Sequence, residues 1–141
     1  MGRLPLDLDP DWAAVGRMTL VCIGPDGRVS LRPDGTLPAD VLAPGEHPLD
    51  ACLRIPLDQA GFRYQHFHPF ALDGDHLYAW VAGDRYHTPA VEPLVGHPRA
   101  DDDRAVVAEG LAAHAPHGED AYYPDHLRTL ARGYLRADSA R

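Results

Sequence analysis

The chain has 141 residues, 45% of them hydrophobic and 24% charged, which suits one domain with a real core and is too short for two ordinary ones. A formal net charge of -8 and a pI near 5.4 argue against nucleic acid as the partner, because such proteins carry a basic footprint. All 13 basic residues are arginines, so no lysine is present for Schiff-base chemistry or a phosphate loop.

Residues 1–15 read as an irregular lead-in, broken by Pro5 and Pro10 and ending in a short helical turn at Trp12, which packs on the domain. This N-terminus lacks the apolar centre of a signal peptide, and no stretch approaches the roughly 20 apolar residues of a membrane span. Cys22 and Cys52 each lie in an apolar run and read as buried thiols in a reducing compartment. The expectation is a cytoplasmic protein with no membrane partner.

From Arg17 to Gly35, two β-rich runs flank Pro25-Asp26-Gly27, a hairpin signal. Residues 35–62 read as loop, helix and loop, with Pro44-Gly45 turning the chain, Leu49, Cys52 and Leu53 at helical spacing, and Gly61 ending the segment. Pro56 falls inside that helix. It removes a backbone hydrogen bond and crowds the preceding turn, at about 3 kcal/mol if unrelieved, which predicts a bend or an end near Ile55.

Two aromatic-rich runs then surround Asp73-Gly74. With those residues at the tip, Leu72 faces Asp75, Phe70 faces Leu77, His68 faces Ala79 and His66 faces Val81. Alternation puts Tyr64, His66, His68, Phe70 and Leu72 on one face with Leu77, Ala79 and Val81, and Phe67, Ala71, His76, Tyr78 and Trp80 on the other. Both faces are largely apolar, as in a central hairpin covered on both sides. A short strand is expected around Val91 to Val95, followed by C-terminal helices over 101–136: one opened by Asp101 to Asp103, and a second from Pro124 to Arg136. Strands, a helix, strands and then helices predict an α+β arrangement around a mixed β-sheet.

Residues 35–62 resemble the Nudix box. That family's pattern runs Gly, five residues, Glu, seven residues, Arg-Glu, an apolar residue, any residue, Glu-Glu, any residue, Gly and an apolar residue. Here Asp40 stands at the first Gly, followed in frame by Glu46, Arg54, Ile55, Pro56, Asp58, Gln59, Gly61 and Phe62. The resemblance covers about residues 17–95 and implies a Nudix-like α/β/α sandwich in which the box helix packs beside the sheet. It also implies a diphosphate-linked substrate and a divalent cation, Mg2+ or Mn2+, held by box carboxylates. Two of the three helix glutamates are replaced by Ile55 and Gln59. Glu46 and Asp58 are the carboxylates left as metal and catalytic candidates, with Arg54 as their partner or a substrate contact. Glu92 stands where the family sometimes carries its general base.

Each position also has a plainer reading. Glu46 suits a first-turn acid, Arg54 a pairing role, and Asp58 and Glu92 solvated carboxylates. His66 and His68, two apart on a strand, suit either a transition-metal pair, with Asp75 or Glu92 as third ligand, or a ligand pocket shared with Tyr64 and Phe70. Three functions follow: a divergent Nudix hydrolase acting on a small molecule with weak or absent Mg2+-dependent hydrolysis; a non-hydrolytic Nudix-like enzyme or binding protein using a histidine-lined pocket; and a cupin-like metalloenzyme. A homodimer is compatible with all three.

Overall fold

The computed structural model describes residues 3–6, 10–24, 28–64, 66–83, 94–96 and 98–115. In chain order these form β1 (Leu4–Pro5), a 3-10 helical turn (Trp12–Ala14), β2 (Arg17–Ile23), β3 (Val29–Leu31), β4 (Ala39–Val41), α1 (Pro48–Ala60), β5 (His66–Asp73), β6 (His76–Ala82), β7 (Leu94–Val95) and α2 (Asp101–His114). The strands form one sheet in the order β1-β5-β6-β2-β3-β7, with β4 also paired to β2. The pairing of β2 with β6 is parallel and the others are antiparallel, so the sheet is mixed.

Helices cover both faces. On one, Leu49, Ala51, Cys52 and Ile55 of α1 pack against Met18, Leu20 and Cys22 of β2 and Leu77, Ala79 and Val81 of β6. On the other, Val106 and Val107 of α2 pack with Val21, Ile23, Phe70, Tyr78 and Trp80. The result is a three-layer α+β domain, the layer order expected from the sequence. Gly110 lets α2 approach closely, since a Cβ there would lie 2.9 Å from a Val21 methyl. No described helix is long and apolar enough to cross a membrane.

Three expectations need correction. The lead-in contributes β1, which pairs with β5 as an edge strand, a place where Pro5 is tolerated. The box helix neither ends nor breaks at Pro56 but runs on to Ala60, where Gly61 at φ 61° closes it and Phe62 N–H donates to Pro56 O. Pro56 cannot donate to Cys52 O, and the Tyr64 hydroxyl donates to that carbonyl instead, at 2.9 Å.

The third correction concerns the β5–β6 hairpin. Its tip is Gly74-Asp75, with Asp73 opposite His76, and a bulge lies between Pro69 and Ala71. Relative to the expected register the tip moves partners by two, which keeps faces. The bulge takes one back, which exchanges them. His68 is therefore opposite Trp80 and His66 opposite Ala82, on the α2 face, while Phe67 is opposite Val81 on the α1 face. Tyr64 precedes the strand, escapes its alternation and is buried on the α1 side. Residues 124–136 lie outside the described residues.

Candidate functional site

The box region keeps its loop-helix-loop form. The N-terminus of α1 is capped by buried His47, whose Nδ1 accepts from Leu49 N–H, and Pro48 sits where no donor is needed. Arg54, nearly two turns along, grips Glu46 through two parallel bonds of 2.7 and 2.9 Å and reaches Asp40 at 3.3 Å. Glu46 also accepts from Ala43 N–H. The Arg54 contact, outweighing partial burial, holds the Glu46 carboxyl below its usual range.

The remaining box positions offer little to a cation. Ile55 is fully buried in the core. Gln59 accepts from Ala39 N–H at 2.9 Å and donates to Ala39 O at 3.0 Å, a two-point clasp between α1 and β4 that Arg32 reinforces. Asp58 is exposed. Among the described residues no group of three His, Cys, Asp or Glu side chains could hold a metal ion. The donor set of the box does not fit the Mg2+ or Mn2+ that the resemblance implies: one position has no donor, one amide is bound to backbone, and one carboxylate is bound to arginine.

A second group of polar side chains lies on the opposite face of the sheet, at one end of α2. His68 stacks on Trp80 with centroids 5.8 Å apart and planes at 9°, and His114 of α2 meets Trp80 edge-on at 4.5 Å. Trp80 is completely buried, while the three imidazoles of His66, His68 and His114 are partly exposed. His68 Nδ1–H donates to Pro69 O at 2.7 Å, which leaves the lone pair of the neutral ring on Nε2. Burial, and then the charge of His66, push His114 below the usual histidine range. Phe70 belongs to this face, as His66 and His68 do by strand register, while Tyr64 lies on the other.

Two features of the α2 face were not read from the sequence. His114 has a legible signal, since Val107, Leu111 and His114 are spaced four and three apart on the helix. The other feature has no sequence signal. Thr19 Oγ1 lies 2.7 Å from His76 Nε2, the Tyr78 hydroxyl lies 3.2 Å from His76 Nδ1, and Arg3 lies over the Tyr78 ring while bonding Asp102 and Glu109 of α2. Burial chiefly, helped by Arg17, lowers His76. Asp75 is in the β5–β6 turn, its carbonyl accepting from Gly16 N–H, and Glu92 lies outside the described residues.

No family model matches the sequence, and no curated protein matches it. Among solved structures, a crystal structure of a chain from Chromobacterium violaceum assigned to the Nudix hydrolase family is similar over 95% of this chain and 100% of that one, with 18% sequence identity and a TM-score of 0.45. What the site can do rests on its own side chains.

Proposed function

We propose that this is a Nudix-like protein that binds or acts on a small molecule at the histidine face beneath α2, and that ordinary Mg2+-dependent diphosphate hydrolysis at the box is weak or absent. The observation that carries this reading is the commitment of the box side chains to the fold: Gln59 to the Ala39 backbone, Glu46 to Arg54, and Ile55 to the core. A divergent hydrolase using Glu46 and Asp58 would first have to part Glu46 from Arg54. At the histidine face, His68 Nδ1–H is turned to Pro69 O, which directs any acceptor role of the neutral ring to Nε2.

The test has two arms. Screening nucleoside diphosphate derivatives with Mg2+ and Mn2+ is expected to give turnover several orders of magnitude below efficient enzymes, because lost cation contacts each cost several kcal/mol of transition-state stabilisation. Ligands found by thermal shift are expected to lose affinity in His66→Ala and His68→Ala, with folding retained. Efficient turnover abolished by Asp58→Ala would return the chemistry to the box, and metal-dependent activity requiring both histidines would favour the cupin-like alternative.

A further inference from the structure

The Trp80–His114 corner holds two buried polar atoms, Trp80 Nε1 and His114 Nδ1, that have no hydrogen-bond partner among the described residues. Such atoms are rare in folded proteins, and each one unmet costs about 1–3 kcal/mol. The two rings are in contact, with centroids 4.5 Å apart, so both atoms belong to one small region. The indole N–H can only donate. The imidazole nitrogen of a neutral ring accepts when its proton is on Nε2. One fixed donor beside one acceptor calls for a ligand edge with the reverse order, a carbonyl next to an N–H.

We propose that this corner receives the amide, lactam or imide edge of a small neutral ligand, a deepening of the histidine-face reading on which it rests. The carbonyl accepts from Trp80 Nε1–H and the ligand N–H donates to His114 Nδ1. A neutral edge suits this corner because three of the arginines are already engaged elsewhere: Arg3 is joined to Asp102 and Glu109, Arg54 to Glu46, and Arg32 to Thr36 and Gln59. It also suits a chain of net charge -8, which disfavours anions. His68, which stacks on Trp80, is partly exposed, as is His66.

Protonation reverses the match, because an imidazolium donates at both nitrogens. Binding of an amide edge is therefore lost as pH falls through the range of His114, whereas a carboxylate would gain. The titratable groups around it on this face include His66 and His68 from β5, His76 and Tyr78 from β6, whose His76 ring meets Thr19, and Arg3, which bonds both Asp102 and Glu109.

The experiment follows the Trp80 indole N–H resonance in Trp12→Phe protein, which leaves one tryptophan, during titration with benzamide, 2-pyrrolidone or benzoate at pH 8 and at the lowest pH where the remaining amide spectrum is unchanged. The expected result is a saturable downfield shift with benzamide or 2-pyrrolidone at pH 8, weakened about tenfold per pH unit below the His114 range. His114→Phe, which keeps the ring contact, should abolish the shift, while His114→Gln, which keeps an acceptor without titrating, should retain it and flatten its pH dependence. A response confined to benzoate and strengthened at low pH overturns the amide assignment but keeps the histidine face as the site. Absence of any response overturns the proposal, and if Mg2+-dependent turnover lost on Asp58→Ala accompanies it, the histidine-face reading falls as well.

Discussion

Tyr64 shows how one side chain can repair a fault that another creates. Pro56 leaves Cys52 O without its helical donor, and the Tyr64 hydroxyl supplies one from outside the helix. Tyr64→Phe is expected to destabilise the protein by about 1–3 kcal/mol in urea unfolding, the cost of a buried carbonyl left unmet. In a Pro56→Ala background, where the helical N–H returns, that cost should shrink, and an unchanged cost would show that the hydroxyl serves something else. Glu46 gives a prediction in pH. Its folded pKa is depressed by Arg54, so its contribution is present above the ordinary glutamate range and is lost as pH falls through the folded value. Stability measured downward from about pH 5 should fall less steeply in Glu46→Gln than in the wild type. Arg54 was legible as a partner of the box carboxylates from the frame of the resemblance, but Glu46 lies before α1 and no helical spacing selects it over Asp58. The role of Tyr64 was not, because it precedes the strand and no periodicity governs it.

At the scale of the element, α1 and β4 are joined by the amide of Gln59, which both accepts from and donates to Ala39. Gln59→Glu, which would restore a box carboxylate, cannot donate to Ala39 O and sets two acceptors against each other. It should lower stability by about 1–3 kcal/mol. Thermal unfolding with and without Mg2+ checks this, and recovery by Mg2+ would mean that the box can still assemble a cation site. The helix itself was readable from its turn residues and apolar spacing, Gly61 included. The faces of the β5–β6 hairpin were readable only up to the bulge: Leu72 and Leu77 share the α1 face as expected, while His66 and His68 change sides beyond Pro69. A bulge leaves no mark in a run that is apolar on both faces, since neither register exposes anything costly.

At the scale of the whole molecule, the histidine face depends on how closely α2 lies on the sheet. Gly110→Ala would set a methyl group 2.9 Å from Val21, so the helix must lift or Val21 must move. A loss of about 1–3 kcal/mol is expected in chemical denaturation, with partial recovery when Val21→Ala makes room. If the single substitution is neutral, α2 is not seated through this contact. The layer order was legible because apolar runs on two faces require two covers. The sheet order was not, because the pairing of β2 with β6 joins segments whose turn chemistry and patterning say nothing of each other.

That central pairing also governs the order in which the chain can fold. β2 meets β3 and β4 soon after its own synthesis, but its parallel neighbour β6 arrives only after the box helix and β5 have been made. Closing such a long loop precedes any reward from the contacts it brings, so formation of the sheet centre is the slow and late event. Until then one edge of β2 is open to other chains, and the acidic net charge keeps nascent copies apart during that interval.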